Sequence, residues 1–242
     1  MTIDKTSREN MVLEAIVRMH VKTAIPVGSK HIAEMLGLSS ATIRNVMLDL
    51  EKEGFLKQPY TSAGRIPTDL GYRRYVDNMH SFEESPIPAL DSQIIHYLQK
   101  KKLFEEIIEA TSHAISQITH YTGIALSPKN KLYFDGTYHM LEQPEFNELS
   151  MARDFLKIIE ERDDLMNLMS MNLDGEGTVI RIGRENIFDE LRECTTITTV
   201  YKFKDHISGN IGVIGPMRMK YEKVVPIVES FAEVMNDMLE GI

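Results

Sequence analysis

The segment that most limits how this chain can fold is a pair of serines followed by a short amphipathic helix. Ser39 and Ser40 can cap the first turn, because a serine hydroxyl accepts hydrogen bonds from its free backbone N–H groups. The apolar residues that share one face of the predicted helix are Ile43, Val46, Met47 and Leu50. The residues opposite this face or on its flanks are Ala41, Thr42, Arg44, Asn45 and Leu48. The pattern predicts a helix with a buried back and a polar, exposed N-terminal edge.

Another helix is predicted directly upstream, and a glycine separates the two. Residues 29–36 keep helical spacing with Ile32, Met35 and Leu36 facing inward, and Gly37 supplies a left-handed stop. Two helices joined in this way, the second one capped, form the helix-turn-helix pattern. The second helix of that pattern enters the major groove of DNA with its N-terminus first.

A short hairpin is predicted after these helices. Residues 55–59 and 65–67 have the character of strands, and the turn-forming residues 60–64 lie between them. Such a hairpin would be a wing beside the recognition helix, with Arg65 near its tip for a phosphate or the minor groove. Thr68 then caps a helix over 69–79, whose Arg73 and Arg74 either contact the DNA backbone or are solvated.

The candidate base-reading residues are Arg44 and Asn45, because Arg bonds to guanine and Asn to adenine through two hydrogen bonds each. The competing interpretation is an ordinary solvated helix face. Ser39, Ser40 and Thr42 are expected to hold phosphates or to cap the backbone. The remaining candidates for DNA contact are Ser29, Lys30, Lys57, Thr61, Ser62 and Arg65. Gly64 is expected to support the site through the geometry of the turn.

Composition bears on the compartment and on DNA binding. No apolar run approaches the roughly 20 residues of a membrane span, and the N-terminus lacks a signal-peptide pattern. A single cysteine, Cys194, excludes an internal disulfide, so we expect a cytoplasmic protein with an inert, half-buried thiol. The net charge of −9 argues against DNA, but residues 1–80 carry 11 Lys and Arg against 9 Asp and Glu. The acidic charge therefore belongs to the rest of the chain.

No enzyme site or cofactor is expected. The eight histidines are scattered without metal-ligand spacing. The glycine-rich stretch 209–215 lies in a strand pattern and not at a strand-to-helix turn, so it is not a phosphate loop.

The second half of the chain predicts an α+β domain. We divide the chain into a winged helix-turn-helix domain (1–80), a linker (81–90) and a second domain (91–242). A long helix over 91–121, with or without a break, carries an apolar stripe that is either core packing or a dimer seam. The other predicted elements are strands over 131–138, 178–182, 195–204 and 207–214, helix over 146–171, and a final helix over 220–239, kinked or started by Pro226.

Ordered motifs at both ends of the chain resemble one family. They are VGSK at 27–30, SSATIRN at 39–45, TSAGRIPTDLGYR at 61–73, YVD at 75–77, IGREN at 182–186 and GNIGVIGPMRMKY at 209–221. Together they are similar to the HrcA family of bacterial heat-shock repressors. The resemblance implies a GAF-like sheet in the second domain and a homodimer on double-stranded DNA. The implied operator is the inverted repeat CIRCE upstream of chaperone operons, and the implied partner is the chaperonin GroEL, which keeps the repressor active.

The chain departs from this family in one respect above all. Family members usually carry an extra dimerising subdomain inserted in the GAF-like domain, whereas residues 122–128 here lead almost directly to the strand at 132–136. Tyr60 is a smaller departure, since the family usually has His in the wing. Two rival functions remain: a repressor gated by a small molecule in the GAF-like domain, and a chaperone-associated module that has lost DNA binding. An enzyme ranks last.

Overall fold

The computed structural model describes residues 5–79, 90, 92–101, 103–173, 175, 177–203 and 206–240. The chain divides into two compact units, Met1–His80 and Ser81–Ile242. The predicted linker 81–90 lies outside the described residues except for Leu90. None of the described helices combines the length and the apolar character needed to cross a membrane.

The N-terminal unit is a small helical bundle with a hairpin. Its elements are α1 (Lys5–Thr23), α2 (Ser29–Leu36), α3 (Ser40–Lys52), β1 (Leu56–Lys57), β2 (Ile66–Pro67) and α4 (Asp69–Asp77). Its core is formed by fully buried aliphatic side chains from the first three helices, among them Ile16, Ile32, Ile43 and Leu50. The order of elements is that of a winged helix-turn-helix domain, as the sequence predicts.

Helix α2 packs through a face that is rotated from the predicted one, although Ile32 belongs to both. Ile32 and Ala33 are buried, whereas Met35, which was expected to face inward, is 55% exposed. The contact face is centred between Ile32 and Ala33, and Met35 lies about 110° away from that centre at 100° per residue. In so short a helix, apolar spacing alone did not determine which side meets α3.

The C-terminal unit contains a five-stranded antiparallel sheet within the described residues, in the order β4-β3-β7-β6-β5. Its elements are α5 (Ser92–Gln99), α6 (Phe104–Thr119), β3 (Thr122–Leu126), β4 (Leu132–Asp135), α7 (Thr137–Leu141), α8 (Leu149–Glu160), α9 (Arg162–Ser170), β5 (Thr178–Ile182), β6 (Cys194–Phe203), β7 (His206–Pro216) and α10 (Tyr221–Glu240). A sheet flanked by long helices agrees with the GAF-like α+β domain that the resemblance implies.

Two helices are held tightly against this sheet. A Cβ atom on Gly123 of β3 would lie 2.1 Å from the carbonyl oxygen of Ser112, so only glycine allows α6 to approach so closely. The hydroxyls of Thr195 on β6 and Tyr221 on α10 lie 2.9 Å apart and hydrogen-bond. The apolar stripe of α6 is therefore core, since Ile107, Ile108 and Ile115 are buried within the unit itself.

Several boundaries in this unit differ from the predictions. For the helix over 91–121 the sequence left a break open, and the structure has two helices there, α5 and α6. The helical region 146–171 is divided between α8 and α9. Pro226 lies inside α10 and does not start it. The sequence did not predict β3 or α7. Strand β3 contains Gly123 and Ala125, which have low strand propensity, and it exists because it pairs with β4 on one side and β7 on the other.

Candidate nucleic-acid interface

The N-terminus of α3 is fixed by serine hydroxyls, as the sequence predicts. Ser39 has extended backbone angles, and its Oγ accepts from the backbone N–H of Thr42 at 3.0 Å, which makes it the cap. The hydroxyls of Ser39 and Thr42 are also 2.8 Å apart. Ser40 does not cap the helix, because its hydroxyl pairs with that of Ser29 at 3.2 Å. This pair ties the first turns of α2 and α3 to each other.

The predicted edge of α3 faces away from the body of its unit. Ile43, Met47 and Leu50 are buried on the inner side. The exposed residues of the first three turns are Ala41, Arg44, Asn45 and Leu48, and Thr42 is partly exposed. Arg44 and Asn45 therefore present an unobstructed guanidinium and amide, the two groups suited to the major-groove edges of guanine and adenine.

The start of α2 lies next to this edge. Lys30 is exposed, and Gly28 at the N-cap provides no side chain to accept from the first-turn N–H groups. Free N–H groups and the positive end of a helix attract phosphate. Because Ser29 contacts Ser40, this cationic helix start and the N-terminus of α3 form one continuous surface.

The wing is a two-stranded hairpin, as the sequence predicts. Leu56 pairs with Pro67 and Lys57 with Ile66, and an isolated bridge between Val27 and Arg65 adjoins the hairpin. The wing turn is closed by Gln58, whose amide donates to the carbonyl of Ala63 at 3.0 Å. The exposed candidate residues on the wing are Lys57, Thr61 and Ser62.

Arg65 does not lie near the wing tip, where the sequence placed it. It directly precedes the return strand β2, its backbone exchanges two hydrogen bonds with Val27 at 2.8 and 2.9 Å, and its side chain is only 16% exposed. The guanidinium is held by Glu51 of α3, so it is directed at the protein itself. Contact of Arg65 with DNA stays a prediction, and in the free protein its guanidinium contacts Glu51. Sequence reasoning missed Glu51 because nothing local relates a carboxylate on a helix to an arginine 14 residues later.

Gly64 is required by a close approach between strands. A Cβ atom there would lie 2.4 Å from the backbone carbonyl of Val27, and such a contact is not tolerated. The left-handed residue in the wing turn is Ser62, with φ at 69°. Gly64 is therefore required by packing against Val27 and not by the turn conformation expected of it.

Helix α4 directly follows the wing. Thr68 caps it as predicted, accepting from the N–H of Gly71 at 3.1 Å. Arg74 is neither solvated nor free for DNA: it lies 4.5 Å over the ring of Phe55 and donates to Asn10 at 2.8 Å. Its side chain is 16% exposed, which corrects both alternatives that the sequence left open. Arg73 is paired with Asp77 at 3.3 Å.

The C-terminal unit holds a cleft of about 700 Å³ beside the edge strand β4. His113 and Asp135 face each other there at 3.2 Å, and Arg162 lies over the ring of Phe134. Within the described residues, no three His, Cys, Asp or Glu side chains are close enough to hold a metal ion. Cys194 is fully buried, not half-buried as expected, and burial raises the pKa of its thiol.

A capped recognition helix with an outward polar edge, a second helix before it and a wing after it define a winged helix-turn-helix protein of the DNA-binding class. Family models agree in both halves of the chain. Residues 4–79 match the winged helix-turn-helix transcription repressor HrcA DNA-binding domain, and residues 125–225 match the HrcA protein C-terminal domain.

Relatives of known name support the same assignment. The heat-inducible transcription repressor HrcA of Brevibacillus brevis is 30% identical and the alignment covers 97% of this chain and 98% of the relative. That of Symbiobacterium thermophilum is also 30% identical, with 96% and 98% covered. A crystal structure of a hypothetical protein shares the fold over 97% of this chain and 98% of its own, with a TM-score of 0.78 at 19% identity. The chain belongs to the HrcA family of heat-inducible transcription repressors.

The alignments also show a difference in length. They run over 342 and 335 positions, whereas this chain has 242 residues, so each relative carries about a hundred residues without a counterpart here. The turn between β3 and β4 is tight, with the N–H of Ser127 donating to the carbonyl of Lys131 at 2.9 Å.

Proposed function

We propose that this repressor binds a CIRCE-type inverted repeat upstream of chaperone operons as a homodimer, and that GroEL maintains its binding-competent form. The observation that carries the proposal is the outward edge of α3, on which Arg44 and Asn45 are exposed next to the wing. Such an edge fits the major groove, and the exposed Lys30 at the start of α2 and Lys57 on the wing are suited to phosphates.

The homodimer follows from the size of the reading surface. One recognition helix contacts only a few base pairs, and specificity over a genome requires two half-sites related by the symmetry of a dimer. The dimer that we propose has to form without the family's inserted subdomain, since the tight turn at 127–131 occupies the place where the resemblance puts the insertion. Size measurement of the free protein tests this step, and a strictly monomeric protein on and off DNA contradicts it.

A gel shift tests the DNA-binding step. The wild-type protein should bind the inverted repeat more tightly than a shuffled duplex of the same composition. The logarithm of the affinity should fall linearly with the logarithm of the salt concentration, because phosphate contacts release counterions. Equal affinity for the two duplexes would contradict operator recognition. A salt-independent affinity would contradict the phosphate contacts and favour a module that has lost DNA binding.

The proposed role of GroEL concerns the fraction of repressor molecules that are able to bind DNA. If the free repressor is marginally stable, only a fraction is competent to bind, and its apparent affinity falls by that fraction. GroEL would restore the competent fraction, and heat would withdraw GroEL by supplying other unfolded clients. Operator binding measured with and without GroEL tests this, and an unchanged active fraction after heat treatment contradicts it.

The cleft beside β4 supports a second candidate function, in which a small molecule gates the repressor. Its volume is within the range of about 300–1,000 Å³ that ligand sites occupy, and it combines aromatic side chains with charged ones. A gating ligand should raise the melting temperature and change operator affinity, because it must bind one state better than the other. A ligand that stabilises the protein without changing operator affinity would rule out gating.

A further inference from the structure

One large apolar side chain is exposed on the recognition helix. Leu48 is 39% exposed, although its neighbours on the same face are the polar Arg44 and Asn45. Leu48 lies about 40° from Arg44 and about 60° from Asn45 around the helix, and about 5 Å further along its axis. Viewed down the helix axis, Leu48 therefore lies between Arg44 and Asn45, and it is about one turn closer to the C-terminus of the helix.

Packing inside the unit does not require a leucine at this position. The inner side of α3 is already formed by Ile43, Met47 and Leu50, which are buried. A single exposed leucine is common on any protein surface. What distinguishes Leu48 is its place on the face that the proposed function directs into the major groove.

The major groove has one apolar feature, the C5-methyl group of thymine, and apolar side chains contact it. Resting on the proposed function, we infer that Leu48 reads a thymine methyl group in each half-site of the operator. Base pairs rise about 3.4 Å each, so this thymine lies one or two base pairs from the base that Asn45 contacts. The inference makes Leu48 a specificity-determining residue in addition to the two polar ones.

The test removes the methyl group from the DNA and the apolar side chain from the protein. Each thymine of a CIRCE-type duplex is replaced in turn by deoxyuridine, symmetrically in both half-sites, and affinities are measured for the wild type and Leu48→Ala. For the wild type, one symmetric replacement should weaken binding by about threefold to fivefold per half-site, the effect of one buried methyl group. Leu48→Ala should bind the thymine and deoxyuridine forms of that position equally.

Two further variants complete the design. Leu48→Met keeps an apolar side chain of similar size, so it should retain the dependence on the methyl group. Leu70→Ala removes a leucine that is 54% exposed on α4 and not on the recognition helix. This variant should show the same dependence on the methyl group as the wild type.

The outcomes separate this inference from the proposed function. Methyl dependence that persists in Leu48→Ala, or a wild type that binds the operator specifically but shows no methyl dependence at any thymine, overturns the role of Leu48 alone. A wild type that does not distinguish the operator from a shuffled duplex overturns the proposed function as well.

Discussion

Arg65 of the wing and Glu51 of the recognition helix are joined directly: Nε and Nη2 of the guanidinium both lie 2.9 Å from Oε2 of the carboxylate. The two side chains are 16% and 30% exposed, so solvent screens the pair only in part. This contact links the wing to α3, and the backbone bridge between Val27 and Arg65 links it to the segment before α2.

We expect Glu51→Ala to weaken operator binding, even though it removes a negative charge from the side that faces DNA. The reason is that Arg65 would lose its partner and the wing its fixed position, with a loss of about 1–2 kcal/mol in the stability of the N-terminal unit. Operator affinity and thermal unfolding are the measurements. Glu34→Ala, which removes an exposed carboxylate from α2, is the control for charge. Tighter binding by Glu51→Ala would show instead that DNA contacts Arg65 directly.

Arg44→Ala should weaken operator binding by about 1–3 kcal/mol and relax base preference at one position, because a guanidinium reads guanine through two hydrogen bonds. Lys57→Ala on the wing should weaken binding to all sequences alike and reduce the salt dependence. Titrations on the operator and on random duplex compare the two. Lys22→Ala, at the far end of α1, controls for the loss of one positive charge. Equal losses on both duplexes for Arg44→Ala would contradict its role as a base reader.

Gly64→Ala should displace the wing, since its new Cβ would lie 2.4 Å from the Val27 backbone. Overpacking of this kind costs about 1–3 kcal/mol, and we expect operator affinity to fall with stability. The control is Gly175→Ala in the C-terminal unit, where the added Cβ meets no atom closer than 3.8 Å. Unfolding of both variants by urea measures the difference. If the two alanine variants unfold alike, the close contact at Gly64 does not constrain the wing.

Cys194 should report opening of the C-terminal unit. Its thiol is 1% exposed, and burial raises its pKa, so the reactive thiolate is withheld at neutral pH and mildly alkaline pH while the unit is folded. We expect slow reaction with a thiol reagent at low temperature and reaction at the rate of a free cysteine after unfolding in urea. On heating, the reaction rate should rise in step with loss of operator binding. Fast labelling of the native protein at low temperature would contradict the burial of this thiol.

Local patterns were sufficient for much of the DNA-reading half. The cap at Ser39, the buried face of α3 and the cap at Thr68 each depend on residues within one or two turns of each other. The same is true of the strands β5, β6 and β7, whose β-branched residues keep strand character along the chain. Because these interactions connect residues that are close in the sequence, they can be predicted from the sequence alone.

Local sequence patterns could not predict which arginines are available to DNA and which are held by other residues of the protein. Arg65 and Arg74 have the same local character as Arg44, since each is a charged residue at the surface of a predicted element. Their partners, Glu51 and Asn10, are distant in sequence. Whether an arginine is available to DNA depends on whether the fold brings an acceptor to it.

The sequence by itself determined the class of the protein, the position of the recognition helix and the direction of its polar edge, because helical periodicity separates a buried face from an exposed one. Only the tertiary structure decided which side of α2 packs, why Gly64 is a glycine, that β3 is a strand and that Arg65 faces Glu51. These features arise from contacts between segments that are remote along the chain, and no local preference encodes such contacts.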